Sequence, residues 1–468
     1  MKLRALAVVL VFCCACGNES SASMQSNSTQ SNSTPSDAAI RLPAITGTIA
    51  GLTEGGLVLQ VNGSHNLAVP ANATSFQFSA LVDLVLGETY IVTVFAEPTG
   101  LVPVVCTVAN GEGSLMASRL VTNVSLTCKP PSGTVSTVAQ NLNIYEVAAD
   151  TQSSNLYVSS LTGAVSEVTQ SGTVSSICTG CAGNEQQQIA IDEGGTLYTI
   201  SSPASGASSV INQVLPSTGV VKLFAGVPAV QNGDGTYPTC VSADGPIATA
   251  TFCGPEGIVL DASGNVYVSD SCAIRKISGG AVTTLAGAIG DCRFVDDVLA
   301  YNHTPLSVVL ENATSGAGRF TSTGPLALDS SGTLYMPDDH TVRAISSAGV
   351  VYTFAGVAGV AGESDGFAET GATFGYMAGI AVDATGHVYV SEPNSGTIRK
   401  IGPYFYSFDP DVEGGLVETL GDPYWQVDAD GPVDVATFGS PFGLALDSAG
   451  NLYIAEPAPS LRLRKIWQ

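Results

Sequence analysis

The sequence predicts an all-β protein: a small β-sandwich followed by a six-bladed β-propeller that closes through its own N-terminal strand, residues 133–140. Three observations lead there. First, 52 glycines, with 45% hydrophobic and only 12% charged residues, favour strands joined by tight turns over helices, as do the Val, Thr and Tyr spread along the chain. Second, a pair of apolar strands flanking an Asp-led turn recurs six times in the second part of the chain. Third, the last copy stops at Trp467 and Gln468, just after its third strand, whereas "GTVSTVAQ" at 133–140 is a spare strand ahead of the first copy. Pairing the two ends in one blade leaves no open seam, which is how radial sheets avoid a frayed edge.

The elements follow in chain order. At 468 residues the chain exceeds what one ordinary core supports, so more than one folded unit is expected. Residues 1–16 read as an export signal, because Lys2 and Arg4 precede an apolar run too short to span a bilayer. Ala15-Cys16-Gly17 resembles the bacterial lipobox, which makes Cys16 the expected lipidation site. Residues 17–42, rich in Ser, Thr and Asn, bury almost nothing and read as a disordered tether. A lipid on a flexible leash implies display at the bacterial envelope, at the outer membrane or cell surface; without the lipid the chain is secreted.

Residues 43–130 contain short, partly alternating segments separated by Gly, Asn or Pro, the pattern of a sandwich. Phe76 and Phe78 share one face; Tyr90, Val92 and Val94 share another, and both sets are expected in its core. This stretch resembles the small immunoglobulin-like modules of bacterial surface lipoproteins, which space a main domain from the membrane.

Residues 131–468 hold the repeats. "EVAADTQSSNLYVSS", "QIAIDEGGTLYTIS", "GIVLDASGNVYVSD", "PLALDSSGTLYMPD", "GIAVDATGHVYVSE" and "GLALDSAGNLYIAE" align on Asp150, Asp192, Asp261, Asp329, Asp383 and Asp447. Each Asp can cap a turn in which Gly264, Gly332, Gly386 or Gly450 takes positive φ. A third strand such as "AIRKI" and a fourth such as "AVTTLAG" complete the unit. With "DGPIATATF" ahead of "GPEGIVLDASGNVYVSDSCAIRKI", the region resembles an NHL-repeat propeller of the bacterial type; WD40 and kelch patterns do not fit. The first two copies depart from it, lacking the Arg of the third strand.

The formal net charge of −24 argues against nucleic acid and anionic lipid surfaces as partners. Eight cysteines follow Cys16, an even count in an exported chain, which suggests disulfides. Neighbours in sequence are the expected pairs: Cys106 with Cys128, Cys178 with Cys181, Cys240 with Cys253, and Cys272 with Cys292; "CTGC" at 178–181 also reads as a redox or metal pair, but metal sites of that type usually need a second pair or histidines nearby, and none is evident.

In a four-stranded meander the long blade-to-blade connections, 227–254, 288–323, 357–377 and 422–440, all fall on one face, the expected working face. Three residues after the recurrent Tyr, four blades carry an acid at the end of the second strand on that face: Asp270, Asp338, Glu392 and Glu456. Two readings stand. The acids ring the channel mouth and hold a cation such as Ca²⁺ or a basic ligand group, or each bonds a neighbouring backbone amide or Arg. Acids are common at this position in the family that the chain resembles, which favours the second. Arg275, Lys276, Arg343, Arg399, Lys400, Arg464 and Lys465 recur in the third strand and read as ion pairs or strand coverings.

The expected function is non-catalytic: an envelope-anchored binding or scaffold lipoprotein presenting an acidic face to a protein, glycan or cation, with no cofactor apart from that cation. The alternative is a metal-dependent hydrolase or lyase, lactonase-like or amidating-lyase-like, using acids at the channel mouth. The amidating-lyase-like class needs several histidines around a metal, and only His65, His303, His340 and His387 are present.

Overall fold

A computed structural model describes residues 44–468 except 53–54, 80, 82–83, 86, 99–103, 116–119, 130–132, 182–187, 204–205, 298–315, 369, 404–414 and 423–427. The leader, Cys16 and the tether lie outside the described residues, as does His303. Among the described residues there is no helix.

Residues 44–129 form two four-stranded sheets. One runs Ser75–Phe78, Ala44–Ala50, Leu120–Lys129, Val105–Ala109 in spatial order; the other runs His65–Ala68, Val58–Val61, Thr89–Ala96, Glu112–Ser114. Alternation in "SFQF" and "TYIV" drives Phe76, Phe78, Tyr90 and Val92 inward, where they join Leu57, Leu59 and Val61 in one buried cluster. Val94 packs against that cluster only partly buried. The run "CTVANGEG" divides between the sheets, because a turn at Asn110, with φ of 56°, separates Val105–Ala109 from Glu112–Ser114.

Six antiparallel sheets follow, arranged as a propeller. From the axis outward, sheet 1 contains Glu146–Ala149, Leu156–Ser159, Val165–Val168 and Val174–Cys178, and sheet 2 contains Ile189–Ile191, Leu197–Ser201, Val210–Leu215 and Val220–Ala225. Sheet 3 is Pro255–Leu260, Val266–Asp270, Ala273–Ser278 and Ala281–Gly287; sheet 4 is Ala327–Leu328, Leu334–Asp338, Thr341–Ile345 and Val351–Gly356. Sheet 5 is Gly379–Val382, Val388–Glu392, Thr397–Ile401 and Leu416–Leu420. Sheet 6 combines Leu444–Leu446, Leu452–Glu456 and Arg462–Ile466 with Thr134–Gln140 from the start of the region. The two ends pair antiparallel, from Arg462 opposite Gln140 to Ile466 opposite Val135. The innermost strand of each sheet touches that of the next, and sheet 6 touches sheet 1.

The recurrent Asp works as a turn cap. Asp261 accepts from the backbone N–H of Ser263 and Asn265 and from the Tyr267 hydroxyl, and Asp329, Asp383 and Asp447 repeat the pattern with Tyr335, Tyr389 and Tyr453. The recurrent tyrosine is therefore the far end of the turn's own hydrogen-bond network.

The long connections do more than lie on one face. In sheets 3, 5 and 6 they return along the outer edge as a two-residue fifth strand, Gly245–Pro246, Gly366–Phe367 and Gly431–Pro432. Those glycines have φ of 149°, 146° and 146°, values open to glycine and strained for any side chain. The "DG" of "DGPIATATF" is thus a backbone requirement. Four disulfides join Cys106 to Cys128, Cys178 to Cys181, Cys240 to Cys253 and Cys272 to Cys292. All four link neighbours in sequence.

Candidate binding site at the axial mouth

Asp270, Asp338, Glu392 and Glu456 end the second strands of sheets 3 to 6, and all are buried. Each faces the arginine of the adjacent third strand: Arg275 at 2.9 Å, Arg343 at 2.8 Å, Arg399 at 3.1 Å and Arg464 at 3.2 Å. The other carboxylate oxygen accepts from the loop that leads into the same sheet. Asp270 holds the N–H groups of Cys253 and Gly254, Asp338 those of Thr321 and Ser322, Glu392 that of Gly375 and Glu456 that of Gly439. Each guanidinium also meets a second acid, Asp244, Asp296, Asp365 or Asp430, and lies over a buried ring, Phe252, Phe320, Phe374 or Phe438. The lysines beside them, Lys276, Lys400 and Lys465, cover Tyr267, Tyr389 and Tyr453.

These carboxylates are therefore not brought together as a ring of free donors. A buried guanidinium needs an anion and a buried carboxylate needs a cation, so each pair satisfies itself inside its own sheet. Burial pushes Glu392 up from its ordinary value, and Glu456 up to about 7, with the Arg partner opposing the shift in both. Among the described residues, no three His, Cys, Asp or Glu side chains gather so as to hold a metal ion. His65 lies in a sandwich strand, His387 bonds to Asp383 in a turn on the opposite face, and His340 approaches the Gly375 carbonyl at 3.4 Å.

The axis itself is chemically distinct. A channel of about 260 Å³ is lined by Val, Ala, Ile and Leu from all six innermost strands, with Gln188 among them. Four residues before the recurrent Asp, where each chain enters its innermost strand from the loop face, stand Gly257, Pro325, Gly379 and Gly443 in sheets 3 to 6. The glycines answer to crowding: a Cβ on Gly443 would come within 2.7 Å of the Glu146 Cα and carboxylate and of the Tyr145 carbonyl. In sheets 1 and 2 the same position holds Glu146 and Gln188. The Gln188 amide fastens three sheets together, accepting from the N–H of Ile258 and Leu326 and donating to the Leu326 carbonyl.

Glu146 is only 3% exposed. Among the described residues no hydrogen bond or cation reaches its carboxylate, and burial alone pushes it up to about 8. Tyr376, 54% exposed, comes from the loop into sheet 5. Burial, then the charges of Glu256 and Glu146, raise its phenol from the ordinary value. The Glu392 bond to Gly375 N–H at 2.6 Å fixes the residue just before Tyr376. Tyr145 and Phe442 pack edge to face at 5.1 Å beside Glu146 and Gly443. The sequence reading centred on the second-strand acids and passed over Glu146, Gln188, Glu256 and Tyr376. The signal for the first two was present, since they replace Gly or Pro in an otherwise regular column.

The NHL repeat model matches residues 252–273, from the ring under Arg275 to the start of the strand that carries it. No curated protein matches the chain. Among solved structures it is similar to an auxiliary nutrient binding protein from Bacteroides ovatus ATCC 8483, at 13% identity and a TM-score of 0.52 over 90% of this chain and 97% of that one. It is also similar to a structural genomics protein of unknown function from Bacteroides thetaiotaomicron VPI-5482, at 15% identity and a TM-score of 0.50 over the same shares of the two chains. The repeat, the antiparallel sheets and these two likenesses support an NHL β-propeller.

Proposed function

We propose that the chain is an envelope-anchored binding protein whose six sheets are the blades of one closed ring. Cys16 carries the lipid, residues 17–42 are the leash, and the immunoglobulin-like sandwich is a spacer. The ring presents its loop face to a protein or glycan of the envelope or exterior, with the axial mouth as the point of contact. One observation carries the reading: the acids that catalysis with a metal would need are each spent on an arginine and a backbone amide, whereas Glu146 at the mouth has no partner among the described residues. The donor set therefore does not fit a lactonase-like or amidating-lyase-like metal. The acidic balance of the chain speaks against nucleic acid as the partner.

A panel of envelope glycans and peptides, probed with the intact chain and with Glu146→Gln and Tyr376→Ala, tests this. Retention that both substitutions weaken, with the ligand recovered unaltered, is the expected result. Turnover of a lactone or peptide dependent on an added divalent ion would overturn it.

A further inference from the structure

We propose that the open outer edge of sheet 2, Val220–Ala225, docks an extended segment of a partner protein as an added antiparallel strand, with apolar side chains at alternate positions and an acid between them. This surface lies on the rim and is separate from the axial mouth. The molecule itself shows what such an edge takes up. In sheets 3, 5 and 6 a returning segment pairs antiparallel with the outer strand at Val282, Val417 and Val135. In sheet 4 Asp297 stands in for that pairing, donating its N–H to the Val351 carbonyl and accepting from the Val351 N–H. Sheet 2 has the same strand in the same register, with Val221 at that place, and no described strand pairs with its outer side. Its outward row of N–H and C=O groups is therefore a template for one more strand.

The side chains select the occupant. Opposite each third-strand arginine stands a threonine, Thr284, Thr353, Thr419 or Thr137. Each bonds, through its N–H or its hydroxyl, the aspartate of the returning segment. Opposite Asn212 in sheet 2 that place is held by Leu223, so the two groups that grip an Asp-Gly segment elsewhere are both missing. Val221 and Leu223 share one side of the strand, 44% and 47% exposed, and an added strand that brings apolar groups to that side takes both out of water. Lys222, exposed on the other side, lies opposite Gln213, whose amide donates to the Tyr198 hydroxyl, and no described acid pairs with it. A carboxylate between the two apolar positions complements it. Phe224, edge to face with Tyr198 at 5.3 Å, holds the strand in place. A second copy of this chain is a poor occupant: Val220–Ala225 contains no acid to meet Lys222, and each copy adds a net charge of −24.

The probe is the end-blocked peptide Thr-Thr-Val-Glu-Val-Thr carrying a fluorescent label, titrated with the intact chain and followed by anisotropy. Run antiparallel, its valines meet Leu223 and Val221 and its glutamate meets Lys222. Binding with a Kd below about 1 mM is expected, together with slower hydrogen exchange at the Val221 and Leu223 amides. The counterpart with lysine in place of glutamate is expected to bind about fivefold more weakly. The peptide N-methylated at both valines, which has lost the donors that face the edge, does not bind. Leu223→Asp abolishes binding and leaves the denaturant midpoint where it was, because the side chain is already half in water. Lys222→Glu exchanges the preference, so that the lysine peptide binds the better of the two, and Val174→Asp on the outer strand of sheet 1 changes nothing. No binding at about 2 mM peptide, equal binding of the N-methylated peptide, or an unaltered preference in Lys222→Glu overturns the proposal. So does a dimer in sedimentation velocity that Leu223→Asp dissolves, because the occupant is then a second copy. Binding at the axial mouth is untouched by any of these outcomes.

Discussion

Sheets 3 to 6 and sheets 1 and 2 share one strand plan and differ at three register-equivalent places. The third-strand residue opposite Val268, Met336, Val390 and Ile454 is an arginine; opposite Val158 and Thr199 it is Ser166 and Asn212. On the outer strand the matching valines are Val282, Val351, Val417 and Val135, exposed by 1%, 0%, 2% and 0%, against 40% for Val174 and 44% for Val221. At the axis, Gly or Pro gives way to Glu146 and Gln188. Three losses at separate radii fall in the same two sheets. In sheets 3 to 6 an arginine, a ring and a returning loop lock the sheet to its own edge. Sheets 1 and 2 give up that lock, and both side chains that replace Gly or Pro at the axial mouth come from them.

The lock is the place to break this contrast most forcefully. Arg343 is fully buried between Asp338 and Asp296, with Phe320 and Phe294 against its guanidinium. Arg343→Ala leaves Asp338 enclosed without a cation and is expected to cost about 3–5 kcal/mol in a denaturant titration. Asn212→Ala, at the equivalent place in sheet 2, is expected to cost no more than about 1 kcal/mol. Equal losses would mean that the arginine is packing filler rather than half of an ion pair.

Next in size is the pH dependence of Glu146. Its carboxyl stays protonated in the folded chain up to about 8 and ionises near 4.5 once exposed. Between those values the unfolded chain binds fewer protons than the folded one, so this residue makes stability fall as pH rises from about 4.5 through about 8, with no further loss above. The full span is on the order of 5 kcal/mol. Glu146→Gln removes that slope, so the melting temperatures of the two chains converge near pH 4.5 and separate in favour of the variant at pH 8. Parallel profiles would place the carboxyl in contact with water.

A smaller effect is expected at the returning loop. Asp244 accepts from Arg275 and from the Thr284 N–H, but it is 41% exposed. Asp244→Asn keeps the shape, leaves Asp270 to neutralise the guanidinium, and is expected to cost about 1 kcal/mol by chemical denaturation. A loss as large as that for Arg343→Ala would show that the exposed acid, not the buried one, holds the arginine.

Much of this architecture was legible in the sequence because it repeats. The Asp that caps a turn, the glycine at positive φ and the Tyr that bonds back recur with the same spacing, and a strand without a partner at each end of the repeat region implies their pairing. Both roles of the second-strand acids are visible in the sequence, and the resemblance favours the structural one, but spacing alone does not settle it. Whether Asp270 and its counterparts converge on the axis or turn toward an arginine depends on side-chain direction at the end of a strand, which spacing alone does not carry. Loop length by itself suggests display segments. Their part in covering the outer edges depends on Gly245, Gly366 and Gly431, where only three copies share the feature and the pairing partner is distant in sequence: Val282, Val417 and, across the ring closure, Val135. Glu146 is hard to see for the opposite reason: with Gln188 it departs from a column that otherwise holds Gly or Pro, and a departure carries no repeat of its own.

The outer edge gives the finest test of the contrast. Val221 and Val282 occupy the same register, since Val214 faces Val221 as Ile277 faces Val282. The difference in burial comes from what lies outside: Gly245 pairs with Val282, whereas no described strand continues beyond Val220–Ala225. A lysine extends its stem over an exposed edge and keeps its charge in water, so Val221→Lys is expected to change stability by less than about 0.5 kcal/mol. Val282→Lys places the ammonium under the returning loop and is expected to cost several times as much. The pair is read by denaturant midpoint on otherwise identical chains. A large loss for Val221→Lys would mean that the edge of sheet 2 is covered in solution, and sheets 1 and 2 would then be sealed as firmly as the rest of the ring.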